Sequence, residues 1–244
     1  MTRRLFLVFM VSCGGAPAPP ATAIQVSAAD TRSESPEIYE CVLQWEELAA
    51  TAPTTLPLLL GPVATLPDDC DVDFDPMRLL DDPAACREPT CERAVFAGGR
   101  QGALLRQGPG GSGRFWSVGL VVADGQRRRF VCMTASTVGW RHLHPMAAQI
   151  GPLQWLADLD GDGAAEVIIW QRLPWGYSEA SNALVPIIYV LDGERLVRSD
   201  RSGVAVAATM AAAYRSLAVM TPNDRESVAC YRAVADALDH WGER

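Results

Sequence analysis

Lysine is absent from this sequence, since all 21 basic residues are arginines. That absence excludes Schiff-base catalysis, the lysine of phosphate-binding loops and Ser-Lys dyads. Histidine is scarce, with three residues, and no two cysteines are separated by two residues, which excludes a thioredoxin-type redox motif. The formal net charge of -8 argues against nucleic acid as a partner, because phosphate binding needs clustered positive charge.

The first residues have the pattern of an export signal. Two arginines, Arg3 and Arg4, precede a short apolar run over 5–11, which is followed by Ser12 and Cys13. This arrangement is typical of a secretory signal peptide, and the run is much too short to cross a bilayer. We therefore expect residues 1–12 to be a signal peptide.

The tetrapeptide MVSC, which ends at Cys13, resembles the lipobox of bacterial lipoproteins. The resemblance implies cleavage before Cys13 and acylation of that residue, so that lipid anchors the mature protein to a membrane of the bacterial cell envelope. Gly14, rather than an aspartate, follows the cysteine, which favours the outer membrane. The alternative is ordinary secretion, with cleavage after Ala23.

Residues 13–35 are small, include prolines and contain almost no large apolar side chains, so we predict a flexible tether. A single domain should follow over 36–244. Its even number of cysteines predicts disulfides in an exported chain, with the pairing left open and buried free thiols as the alternative. These cysteines are Cys41, Cys70, Cys86, Cys91, Cys132 and Cys230.

The pattern of the domain predicts an α+β fold. Ser35 and Pro36 are typical of a helix start, and this first helix should end near Ala50. A short helix is expected over 76–80. Beyond Arg93, about six strands separated by turns predict an antiparallel meander, and two helices follow it near the C-terminus.

Two Asp-Gly dipeptides, at 124–125 and 192–193, each lie between runs of β-forming residues and predict tight hairpins. If the dipeptide at 124–125 supplies both turn residues, Val118 faces Val131. The arginines at 127–129 then lie at a hairpin tip, where we expect them to reach solvent.

Residues 158–166 combine alternate aspartates with two glycines, directly before a run of apolar β-forming residues. Alternate carboxylates on a tight loop can converge, and glycine permits the necessary turning. The carboxylates would repel one another without a cation, and Ca2+ suits such oxygen ligands better than Mg2+, which keeps its water. The candidate ligands are Asp158, Asp160, Asp162, the backbone carbonyl of Ala164, and Glu166. The alternative is an exposed acidic turn that holds no ion.

This run resembles the calcium loops of FG-GAP repeats of the integrin-α type, which follow the pattern D-x-D-x-D-G-x-x-[DE]. An EF-hand would require a glutamate at the twelfth position, where this chain has Ile169. The resemblance implies a structural calcium site in a loop between two strands. The matching residues are Asp158, Asp160, Asp162, Gly163 and Glu166.

Two other segments contain candidate functional residues. His142 and His144 have a spacing seen in zinc sites, but an exposed loop that ends at Pro145 is the favoured interpretation. The segment around Trp175 and Tyr177 combines aromatic rings with amides and hydroxyls, which suits a peptide or carbohydrate ligand. It suits a loop that packs over the edge of the sheet equally well.

These features favour an exported, membrane-anchored lipoprotein that acts by binding rather than by catalysis. One alternative is an exported metal-dependent hydrolase that uses His142, His144 or a pair of carboxylates. Another is a structural component of a cell-envelope complex, for which we would expect an exposed apolar patch.

Overall fold

The computed structural model of the chain describes residues 47, 50–60, 76–86, 91–107, 116–135, 145–150, 153–173, 183–221, 223 and 225–241. The predicted signal peptide, tether and lipidated Cys13 lie outside these residues, as does most of the first predicted helix. Glu47, Ala50 and Thr51, which are described, are helical. All described residues belong to one unit of the chain, Glu34–Arg244.

Two antiparallel five-stranded sheets and a set of helices form the domain, and this confirms the α+β class. The strands are β1 (Thr55–Pro57), β2 (Leu59–Leu60), β3 (Cys91–Phe96), β4 (Arg100–Gln107), β5 (Trp116–Asp124), β6 (Arg127–Ala135), β7 (Leu156–Ala157), β8 (Glu166–Arg172), β9 (Leu184–Asp192) and β10 (Arg195–Arg198). The helices are α1 (Pro76–Asp81), α2 (Pro145–Ile150), α3 (Gly203–Met220) and α4 (Arg225–Asp239).

Each sheet is a four-stranded meander completed by one short strand from the start of the domain. The first sheet has the order β2-β6-β5-β4-β3 and the second has the order β1-β10-β9-β8-β7. Leu58 separates β1 from β2, is buried, and donates its N–H to the carbonyl of Glu194 at 2.9 Å. The expected strands therefore divide between two sheets, and one continuous segment contributes an edge strand to each.

The first Asp-Gly hairpin forms, but its predicted register is wrong by two residues. Val118 pairs with Met133 rather than with Val131, because the turn residues are Gly125 and Gln126. Gly125 has a φ of 60°, so it takes the first central position of the turn, where two-residue hairpins need a positive φ. The side-chain alternation is preserved, because a shift of two residues leaves each residue on the same face.

Arg129 corrects the expectation that all three arginines at 127–129 form a solvated tip. Arg127 is exposed, whereas Arg129 is only 5% exposed. The Nε of Arg129 donates to Asp124 at 3.1 Å, and its Nη2 donates to Glu194. Because Asp124 and Glu194 belong to the hairpins of different sheets, Arg129 links the two turns.

The C-terminal helices form an antiparallel pair. The rings of Tyr214 in α3 and Tyr231 in α4 stack with their centroids 5.5 Å apart. Ala235 and Leu238, one and two turns beyond Tyr231 in α4, are buried with it. Within the described residues, none of the helices combines the length and apolar character that crossing a membrane requires.

Disulfides reinforce the domain. Cys86 and Cys91 are bonded to each other, with their Cα atoms 5.1 Å apart. Cys132 and Cys230 each take part in a disulfide bond as well. Cys41 and Cys70 lie outside the described residues. The bond at Cys91 links the first residue of β3 to the segment that follows α1.

Candidate metal centre

The acidic loop, residues 158–165, connects β7 to β8. The two strands pair antiparallel, with Leu156 opposite Val167 and Ala157 opposite Glu166. The chain therefore leaves β7, makes the loop, and returns to the position directly beside its starting point. This places the first aspartate and Glu166 at the same end of the strand pair.

Asp158 organises the start and middle of the acidic loop through backbone hydrogen bonds. Its two carboxylate oxygens accept the N–H groups of Gly161 at 2.8 Å and Gly163 at 3.0 Å. These glycines have φ values of 78° and 86°, in the left-handed region that residues with a Cβ rarely adopt. The glycines thus allow the backbone to fold around the Asp158 carboxylate.

The other two aspartates each accept a backbone bond two residues further along the chain. Asp160 accepts the N–H of Asp162 at 3.2 Å, and Asp162 accepts the N–H of Ala164 at 2.7 Å. Such bonds are typical of aspartates that stabilise turns. Asp158 and Asp160 remain exposed, so the acidic loop is open to ions in solution.

Glu166 is the first residue of β8 and has an exposed fraction of only 3%. Burial raises the pKa of its carboxyl group above the usual value, the hydrogen bond from the N–H of Leu159 at 2.7 Å opposes that shift, and the charges of Asp160 and Asp162 add to it. Ionisation of Glu166 is therefore less favourable here than in water, and a nearby positive charge would offset that cost.

Three of the predicted ligands converge. One carboxylate oxygen from each of Asp158, Asp160 and Glu166 lies within 4.8 Å of the other two. Asp162 is not part of this group, and its carboxylate instead accepts the N–H of Ala164. That the carbonyl of Ala164 is a ligand stays a prediction.

The spacing of these oxygens would allow one metal ion to contact all three. Calcium binds oxygen at about 2.3–2.6 Å, so two ligands on opposite sides of the ion are about 5 Å apart. All three groups are carboxylates, which are ligands for a hard divalent cation. Since the loop is exposed, water and carbonyl oxygens can complete the usual six to eight ligands.

A residue of the other sheet, which sequence reasoning missed, supports the acidic loop. Glu92 in β3 accepts the N–H groups of Trp155 at 2.8 Å and Leu156 at 3.0 Å, and these residues lead into the loop. At the other end of the loop, Ala165 donates its N–H to the carbonyl of Val95 at 2.8 Å. Both ends of the acidic loop are therefore attached to β3.

Arg106 in β4 compensates the charge of Glu92. Its Nη2 lies 3.7 Å from the Glu92 carboxylate, and both side chains are almost completely buried. The guanidinium carbon also lies 5.1 Å from the ring centroid of Trp155. Glu92 lies between Cys91 and Arg93, so no local pattern distinguished it, and only the fold brings it to Trp155.

The remaining candidates, His142, His144, Trp175 and Tyr177, lie outside the described residues. No protein-family model, curated protein or solved structure matches this chain. The geometry of the acidic loop is consequently the main basis for a functional interpretation.

Proposed function

We propose that this chain is a lipid-anchored binding domain of the bacterial cell envelope, stabilised by calcium at the acidic loop. The observation that supports the calcium site is the convergence of Asp158, Asp160 and Glu166. In this group Glu166 is buried and the two aspartates face solvent. A cation that enters from solution would reach all three carboxylates and neutralise the buried one.

The role of the ion in this proposal is structural. The acidic loop joins two strands, and both of its ends are hydrogen-bonded to the other sheet through Glu92 and Val95. An ion held by Asp158 and Asp160 on the loop and by Glu166 on β8 would fix the loop against the strand pair. It would therefore stabilise the folded state through its binding free energy.

Binding to another molecule, rather than catalysis, is the activity that we propose. The segment around Trp175 and Tyr177 remains the candidate surface for a peptide or carbohydrate. The alternative is an exported hydrolase that uses His142 and His144, and both histidines lie outside the described residues.

A role as a structural component of an envelope complex is a second candidate, and a specific observation favours it. Val219 and Met220, adjacent at the end of α3, are 74% and 64% exposed. Two neighbouring large apolar side chains with that exposure are typical of a contact surface.

The calcium proposal predicts a measurable affinity that depends on Asp160. Calorimetric titration of the calcium-free protein should detect binding, and Asp160→Asn should weaken it about 10-fold or more, because one charged ligand is lost. Asp192→Asn is the matched control, since Asp192 is exposed beside a glycine in a hairpin that has no such cluster. Binding that is absent, or equal in wild type and Asp160→Asn, would contradict the calcium site.

The anchoring proposal predicts that Cys13 determines membrane attachment. When the chain is expressed in a bacterial host, the wild type should fractionate with membranes and have an intact mass increased by acyl groups. Cys13→Ser should lack the acyl mass and retain residues 1–12, because neither acylation nor the associated cleavage can occur. A wild-type protein cleaved after Ala23 and without lipid would show that plain secretion is correct.

A further inference from the structure

An open groove runs between α3 and α4, with a cavity volume of about 590 Å³. From α3 it is lined by Ala218 and Val219. The residues from α4 recur at helical spacing along one side of the helix. They are Arg225, Val228, Ala229, Arg232, Ala233 and Asp236.

The floor of this groove is apolar, and apolar surface continues beyond it. Val219 and Met220 are the most exposed of the large hydrophobic side chains in the part of the chain that is described. Val228, Ala229 and Ala233 are only half-buried. The helix pair therefore leaves an apolar face uncovered, and covering it would be favourable.

The two arginines of the groove differ from Asp236, which has an ion-pair partner in the part of the chain that the structure describes. Among the described residues, neither Arg225 nor Arg232 has a carboxylate within ion-pair distance. Asp236 lies 3.7 Å from Arg215, but Arg215 forms a closer pair with Asp239. Arg225 and Asp236 are separated by three turns of α4, about 16 Å along the helix axis, so they cannot pair within one chain.

A second copy of the same helix, aligned antiparallel, complements this pattern. If Arg225 lies opposite Asp236 of the other copy, Val228 lies opposite Ala233 and Ala229 lies opposite the aliphatic stem of Arg232. A single register therefore pairs the charges at both ends of the groove and apolar groups in the middle. A two-fold axis makes each contact occur twice, as in isologous dimers.

From this complementarity we propose that the groove is the interface of a homodimer, in which α3 and α4 of two chains pack as an antiparallel arrangement of helices. Val219 and Met220 then lie against the second copy, and two ion pairs between Arg225 and Asp236 set the register. The inference is independent of the calcium site and of the lipid anchor.

Charge reversal tests the register. The full chain, held in a density-matched non-ionic detergent, should sediment with a protein mass of twice 26.3 kDa. Arg225→Asp and Asp236→Arg should each weaken dimerisation about 10-fold or more, because each places two like-charged pairs in the interface. The double variant should restore the wild-type dissociation constant to within about 3-fold, because it regenerates both pairs with reversed polarity.

Mixing the two single variants provides a test that also controls for misfolding. A heterodimer of Arg225→Asp with Asp236→Arg contains two opposite-charge pairs, whereas each homodimer contains like-charged pairs. The mixture should therefore dimerise about as tightly as the wild type. Arg127→Asp reverses an exposed charge at a hairpin tip and should leave the mass unchanged.

Three results would overturn the proposal. A wild-type chain that stays monomeric up to about 100 μM would show that no stable dimer forms. A dimer that survives Arg225→Asp would place the interface elsewhere. Single variants that are folded, as judged by circular dichroism, but do not associate when mixed would exclude this register.

Discussion

Replacing Glu92 with alanine should lower the free energy of unfolding by about 3–5 kcal/mol, because the variant breaks a buried ion pair by removing one partner. The Glu92 carboxylate lies 3.7 Å from Arg106, and both side chains are almost fully buried. The same carboxylate accepts the N–H groups of Trp155 and Leu156. Its loss therefore leaves a buried positive charge less compensated and two backbone donors without their acceptor.

Glu92→Gln is the control that separates the two effects. Glutamine can still accept the N–H groups of Trp155 and Leu156, but it has no charge to offset Arg106. We expect its unfolding free energy to lie between those of the wild type and the alanine variant. Urea denaturation followed by circular dichroism gives all three values. An alanine variant with the urea midpoint of the wild type would contradict this role for Glu92.

Local sequence signals predicted the strands and helices well. The Asp-Gly dipeptides at 124–125 and 192–193 each mark a hairpin, and the two helices expected near the C-terminus form. The register of the first hairpin was wrong because the same dipeptide can occupy different turn positions. Gly125 takes the first central position, and periodicity does not specify this choice.

The division of the strands between two sheets was not predictable from periodicity. β1 and β2 have three and two residues, so neither produces a recognisable alternation in a proline-rich segment. Arg129 lies beside a turn, and a charged residue at that position is usually solvated. Its burial follows from the approach of Glu194 from the other sheet, which is a long-range contact.

The candidate site shows the same division between local and long-range information. The spacing of Asp158, Asp160 and Glu166 correctly predicted that these carboxylates gather, since the loop geometry depends on neighbouring residues. Asp162 was expected among them but lies outside the group. Glu92 was missed because its contact with Trp155 spans 63 residues of sequence.

The two meanders, β3–β6 and β7–β10, provide an internal comparison for the acidic loop. Each has four consecutive antiparallel strands with an Asp-Gly turn between the last two. Their first connections differ, because Ala97, Gly98 and Gly99 join β3 to β4 whereas the eight residues 158–165 join β7 to β8. A short glycine turn is thus sufficient to connect such strands. The longer acidic connection is not required by the topology, which supports a separate role for its carboxylates.

Glu166→Gln should change the stability of the protein in opposite directions with and without calcium. In a chelator at neutral pH, the variant should be at least as stable as the wild type. Burial raises the pKa of Glu166, so its ionised form disfavours the folded state relative to the unfolded one above that pKa. Glutamine removes this charge from beside Asp160 and Asp162 and still offers a carbonyl oxygen to the N–H of Leu159.

In calcium, the order of stability should reverse, because the ionised Glu166 then becomes a ligand. Calcium at 100 times its dissociation constant adds about 2.7 kcal/mol to the wild type, which raises the melting temperature of a domain of this size by about 5–10 °C. Calcium should stabilise Glu166→Gln much less, since a neutral amide binds the ion weakly. Only the carboxylates of Asp158 and Asp160, which are exposed, would then remain of the three. Scanning calorimetry of both proteins in calcium and in chelator measures the four transitions. If the variant ranks on the same side of the wild type in both buffers, the buried carboxylate does not serve as a calcium ligand.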